Sequence, residues 1–189
     1  MALLPSLFTV ANLFCGYACI VYAMRGEYET AAPFIGFAIV LDMLDGRIAR
    51  LTGTASDFGV EFDSLADVIS FGVAPAALGF TLGLRGGWDM LILTYFVVCG
   101  VSRLARFNVT AEALADSATG KVKYFEGTPI PTSIGIVALL GLALFTGHID
   151  ERIWLGVYRL GPAGLHPLTL VYGLSGSAMI SATLRIPKP

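Results

Sequence analysis

The chain has 189 residues, 56% of them hydrophobic and only 14% charged, with a net charge of −2 and a mean hydropathy of +0.75. Soluble domains carry about a quarter charged residues, so this composition points to a membrane protein, and the slightly acidic balance argues against a nucleic-acid partner. Cys15, Cys19 and Cys99 all lie inside apolar runs, which argues against a disulfide framework or a zinc knuckle.

About 20 apolar residues cross a hydrocarbon core as a helix, and six stretches qualify. The first, 5–24, reads as a retained span. No basic residue precedes it, no small-residue cleavage site follows, and bulky Phe14 sits where a lipoprotein-type site before Cys15 needs a small residue. The second covers 30–50, the third 58–84 and the fourth 88–108. A long polar stretch from Val109 to Thr128 follows, then a short fifth span over 130–147 and a Gly- and Ser-rich sixth over 163–184. The 22 glycines suit close helix approach in lipid. The predicted architecture is an all-α integral membrane protein, one domain over 1–189 built as a bundle of six transmembrane helices.

Basic residues set the orientation. With the N-terminus in the cytoplasm, that side collects Arg47, Arg50, Arg103, Arg106, Lys121, Lys123, Arg185 and Lys188, against Arg25, Arg85, Arg152 and Arg159 opposite. His148 and His166 fall on the second side, where no catalytic role is expected.

Four aspartates break the apolar pattern. Asp42 and Asp45 lie near the end of the second span, Asp63 and Asp67 near the start of the third. An aspartate at a helix centre costs roughly +2.5 to +3.5 kcal/mol on insertion scales; these lie nearer the interface, yet four still require compensation. Residues three or four apart share a helical face, so each pair points one way. Both nested pairs are centred on the polar turn Thr52-Gly53-Thr54-Ala55-Ser56. A hairpin there sets Asp45 level with Asp63 and Asp42 level with Asp67, and four carboxylates are expected to converge near the cytoplasmic surface. Like charges so close need cations, and all-oxygen ligands select hard ions such as Mg²⁺, Mn²⁺ or Ca²⁺. Paired metals on shared aspartates suit displacement at phosphorus. On physics alone an ion or proton pathway, such as a divalent-cation carrier, stands beside that reading, and a single aspartate is more often a helix cap.

The motif separates these. Asp42-Met43-Leu44-Asp45-Gly46-Arg47-Ile48-Ala49-Arg50, then eight residues, then Gly59-Val60-Glu61-Phe62-Asp63-Ser64-Leu65-Ala66-Asp67 resembles the signature of the CDP-alcohol phosphotransferase family, D-x₂-D-G-x₂-A-R-x₈-G-x₃-D-x₃-D, at every fixed position. The resemblance implies a six-helix fold and two divalent metals, Mg²⁺ or Mn²⁺, with Ca²⁺ as a non-productive occupant. It implies Asp42, Asp45, Asp63 and Asp67 as metal ligands and Asp67 also as general base. Gly46 and Gly59 would let the CDP group approach the backbone, Ala49 would keep that wall flat, and Arg50 would neutralise phosphate. Asn12, a lone amide in the first span, is a further CDP-binding candidate.

Three longer blocks, Phe62 to Ala76, Arg103-Leu104-Ala105-Arg106-Phe107-Asn108 and Gly127-Thr128-Pro129-Ile130-Pro131, look like the membrane-spanning phosphatidylserine synthases of that family. That likeness implies CDP-diacylglycerol and L-serine as substrates and CMP as product, at the cytoplasmic face of the cell membrane, in a homodimer. Glycerol phosphate or inositol phosphate acceptors and archaeal ether-lipid donors are the alternatives within the family. Arg103, Arg106 and Asn108 are the serine-binding candidates, an arginine fork being suited to a carboxylate. Lys121 and Lys123 are expected to be solvated or to attract anionic headgroups. Some relatives continue beyond the sixth span, whereas this chain ends at Pro189.

Overall fold

The computed structural model describes residues 6–52, 56–115, 124–126, 128, 130–181 and 185–187. Six helical rods account for most of them. The first is α1 (Leu7–Met24), whose N-cap Ser6 accepts the Thr9 amide on its hydroxyl. α2 (Tyr28–Thr52) follows after a short turn. The third rod is α3 (Asp57–Asp67), capped by Ser56, continued by a wide π-type turn (Val68–Val73) into α4 (Ala74–Leu82). α5 (Gly87–Ala115) is the longest. The fifth rod is a 3-10 turn (Ile130–Ser133) running into α6 (Ile134–Phe145), and the sixth a 3-10 turn (Pro167–Thr169) running into α7 (Leu170–Ile180).

The π-type turn has a local cause. Pro75 has no amide hydrogen to continue an α ladder, and a one-residue widening absorbs the gap. The Pro75 carbonyl instead accepts the fully buried Tyr172 hydroxyl at 2.7 Å, tying the third rod to the sixth. Tyr172 also meets Phe96 edge to face at 5.3 Å, so α4, α5 and α7 share one aromatic centre.

α2 ends at Thr52 and α3 starts at Asp57, while residues 53–55 of the predicted turn lie outside the described residues. The sixth span departs from the predicted 163–184. Ala163–Leu165 is strand β3, antiparallel to β2 (Tyr158–Leu160) with Leu160 opposite Ala163. Gly161, at φ +66°, and Pro162 make that turn and delay the helix. The fourth rod runs past its expected end at 108, because nothing in Val109–Ala115 breaks a helix. Strand β1 (Tyr124–Glu126) pairs with β4 (Arg185–Pro187), placing the segment after α5 and the C-terminal segment at one end of the molecule.

Leu7–Met24, Asp57–Leu82 and Gly87–Val109 are long and apolar enough to cross a membrane, and Ile134–Phe145 and Pro167–Ile180 are shorter apolar helices. α2 is long enough, but Asp42, Asp45 and Arg47 interrupt its apolar run. Large apolar side chains face outward along the rods, among them Phe14, Phe37, Leu65, Leu91, Phe145 and Leu174. Such an apolar exterior suits a membrane protein. At the end away from the aspartate motif, fully buried Asp89 accepts from the Gly86 and His166 amides, Thr169 Oγ1 and His166 Nδ1. That clasp joins the start of α5 to the start of the sixth rod, and it gives His166 a structural place.

Candidate metal and nucleotide site

The aspartates meet where Asp42 on α2 faces Asp63 and Asp67 on α3, with α1 packed against both helices. Asp42, Asp63 and Asp67 each offer one carboxylate oxygen, and these three oxygens lie within 4.8 Å of one another. Two unit charges at that separation repel by roughly 3.5 kcal/mol at an effective dielectric of about 20. Asp63 Oδ1 is buried with no hydrogen-bond partner among the described residues. A buried carboxylate oxygen without a donor, inside an all-oxygen cluster, fits a hard divalent cation.

Asp45 stands outside that trio. It is buried, and its Oδ1 accepts the Ser6 hydroxyl at 2.5 Å while its Oδ2 accepts the Thr9 hydroxyl. Ser6 and Thr9 are three apart at the start of α1, so one face of that helix meets Asp45 with two donors. The predicted convergence of four carboxylates is therefore three together, with the fourth alongside and turned to α1. Asp45 follows Asp42 by three residues on α2, which sets it on the same helical face one turn away.

Asn12, one turn further along α1, is fully buried and donates from Nδ2 to Asp67 Oδ1 at 3.1 Å. Its Oδ1 has no partner among the described residues. The approach depends on Gly16: a Cβ there would stand 2.8 Å from Ser70 Cα, so only glycine lets α1 press onto the turn that follows Asp67. Ser70 Oγ closes the contact by donating to the Asn12 carbonyl at 2.9 Å.

The remaining motif residues spread around this centre. Gly46 is half-buried within α2. Ala49 and Arg50 continue that helix, and their side chains lie outside the described residues. Gly59 sits over the α3 N-cap, its amide donating to Ser56 Oγ at 3.1 Å. Of the three acceptor candidates, half-buried Arg103 is electrostatically coupled to Asp67. Arg106 is exposed and reaches the Ile180 carbonyl at 3.5 Å. Asn108 donates to Glu61 and Ser64 on α3, both at 3.1 Å. Lys121 and Lys123 lie outside the described residues. Two broad surface depressions at the opposite end, around Arg85, Asp150 and His166, hold none of the motif.

Sequence reasoning missed Ser6 and Thr9, although a Ser-x-x-Thr pair opening a membrane helix was a visible signal. It also missed two buried hydroxyls without partners among the described residues, Thr128 Oγ1 and Ser133 Oγ.

The family model for CDP-alcohol phosphatidyltransferases matches residues 2–167. The chain belongs to the CDP-alcohol phosphatidyltransferase family. Among curated members, it is 44% identical over 190 residues to a CDP-diacylglycerol–serine O-phosphatidyltransferase of Saccharomyces cerevisiae, covering 96% of this chain and 69% of that protein. It is 42% identical over 163 residues to the enzyme of the same name from Helicobacter pylori, covering 82% and 65%. An archaetidylserine synthase of Methanothermobacter thermautotrophicus is 39% identical over 150 residues, covering 78% and 61%. The chain thus spans about two thirds of the length of these CDP-alcohol phosphatidyltransferases.

Proposed function

We propose that this membrane protein is a phosphatidylserine synthase, transferring the phosphatidyl group of CDP-diacylglycerol to the hydroxyl of L-serine with release of CMP. The observation that carries the reading is the trio Asp42, Asp63 and Asp67 with Asn12 and Arg103 around it, inside a complete family motif. The synthase names of relatives in yeast, bacteria and archaea support serine as the acceptor.

In this reading Asp42, Asp45, Asp63 and Asp67 hold two divalent ions, Mg²⁺ or Mn²⁺, with Ca²⁺ as a non-productive occupant. Such ions, when bound, supply positive charge to the pyrophosphate oxygens and to the departing CMP. The chain's own groups do the rest. Asn12 orients Asp67 through Oδ1, which leaves Oδ2 to take the serine hydroxyl proton. The serine oxygen forms its bond to the lipid-side phosphorus as the bond from that phosphorus to the CMP oxygen breaks. Gly46, Ala49, Arg50 and Gly59 line the CDP group in this proposal, and Arg103, with Arg106 and Asn108 as further candidates, takes the serine carboxylate as a bidentate partner.

The six rods form a six-span bundle in the cell membrane, with the aspartate hairpin at the cytoplasmic face. The excess of arginine and lysine at that end supports the orientation, and a homodimer belongs to the same proposal. Purified protein is to be assayed for CMP release with CDP-diacylglycerol and L-serine, glycerol 3-phosphate or inositol 1-phosphate side by side. Serine is expected to be the productive acceptor. Turnover only with a phosphorylated alcohol would move the protein to another branch of the family, and metal flux into liposomes without CMP release would make it a carrier.

A further inference from the structure

Two hydroxyls at the aspartate end have no part in the reading above. Ser133 is fully buried and its Oγ has no partner among the described residues; Thr128 Oγ1 is likewise buried and unpartnered. Thr128 lies two residues before the 3-10 turn Ile130–Ser133, and Ser133 ends it. A serine at the start of a helix ordinarily caps it. Ser133 instead has helical torsions, φ −54° and ψ −18°, and the turn runs straight into α6 with no side-chain cap. Its hydroxyl is therefore spare. Thr128 is fixed by its backbone, the amide donating to the Ala178 carbonyl near the end of α7 at 3.2 Å.

The turn is wedged between α5 and the π-type turn. A Cβ on Gly100 would meet Ile130 Cδ1 at 2.8 Å, so Ile130 is seated on α5 at Gly100. Arg103 lies three residues further on that same face, is coupled to Asp67, and has a buried Nε without a partner. The turn also packs against the π-type turn that begins immediately after Asp67. One guanidinium N–H donor and two hydroxyl oxygens are thus without a partner among the described residues, on neighbouring elements. A fold discards buried polar groups without partners unless something completes them.

We propose that Thr128 and Ser133 are specificity-determining residues for the acceptor, their hydroxyl oxygens accepting from its ammonium group while Arg103 Nε donates to its carboxylate. The ligand class is a zwitterionic amino alcohol of serine size, an assignment that rests on the proposed synthase function. The hydroxyls distinguish it from alcohols lacking an ammonium, and Arg103 from those lacking a carboxylate.

The test uses the full chain with Thr128→Val, Ser133→Ala and Arg103→Gln, and three acceptors: L-serine, 3-hydroxypropionate and ethanolamine. Serine binding in the presence of CDP is followed by calorimetry, independently of CMP release. Thr128→Val and Ser133→Ala are each expected to weaken serine roughly tenfold, the effect of losing one hydrogen bond to a charged group. The KM for CDP-lipid, the response to 3-hydroxypropionate and the melting temperature without serine should stay at parental values. Arg103→Gln should weaken serine more than ethanolamine, and Thr128→Ser, which keeps the hydroxyl, should bind serine as the parent does. Parental serine affinity in both hydroxyl variants, or a fall in melting temperature with unchanged KM, overturns the proposal while leaving the synthase reading intact. Serine binding that is lost in the variants of a protein releasing no CMP with serine overturns the synthase reading and, with it, the assignment of the bound serine as acceptor.

Discussion

Replacing Asn12 with alanine separates the chemistry of this site from the stability of the fold. Asn12 is fully buried, donates to Asp67 at 3.1 Å and carries an Oδ1 without a partner among the described residues. Losing a hydrogen bond to a charged group costs about 1.5–3 kcal/mol. Removing the unsatisfied oxygen relieves a penalty of about 1–3 kcal/mol, so the two largely cancel in the folded state. No such offset exists in turnover if the bond orients the base. A barrier raised by 1.5–3 kcal/mol corresponds to a fall of roughly 10- to 150-fold in kcat. Steady-state CMP release should therefore drop by that factor while the melting temperature in detergent moves little. A kcat within twofold of the parent would show that the contact with Asp67 has no part in proton transfer. A loss of activity that follows a loss of folded protein would show that its role is packing.

Asp67→Asn should abolish CMP formation and keep the melting profile, because it preserves shape and the Asn12 contact but cannot take a proton at that oxygen; near-parental turnover would remove Asp67 as the base. Chelation of divalent ions should silence CMP release and readdition of Mg²⁺ or Mn²⁺ restore it, measured on one preparation. Gly16→Leu should destabilise by roughly 1–3 kcal/mol, read by thermal denaturation, since its Cβ alone would crowd the Ser70 backbone. Asp89→Ala strips the acceptor from the Gly86, His166 and Thr169 donors and should cost about 3–5 kcal/mol. Turnover per folded molecule should stay unchanged there, because that clasp lies at the other end of the bundle.

What was legible in the sequence follows from the range of the forces involved. The position of the aspartate hairpin could be read because helical period and turn chemistry are local, and both aspartate pairs bracket the same polar residues. The rods could be read because crossing hydrocarbon demands long apolar runs. The diversion of Asp45 to Ser6 and Thr9 could not, since it depends on where α1 lies against α2, across 36 to 39 residues of chain. The pairing of Asp89 with His166 spans 77 residues and has no local signature. The β2–β3 hairpin was within reach, because Gly161-Pro162 is a turn signal, and a span begun directly after it at 163 leaves no room for the returning strand Ala163–Leu165.

The widened turn after Asp67 also sets a phase. Each residue advances an α-helix by about 100°, and the π-type turn holds one residue more than the regular ladder would. Deleting a single residue between Val68 and Val73 would let that ladder heal without any gap in the chain. With Pro75 and Tyr172 still locked together, the repaired rod would swing Asp63 and Asp67 about 100° away from Asp42. The geometry of the carboxylate trio is thus written partly in a length, so that a one-residue shortening which makes the helix more regular would take the carboxylates apart.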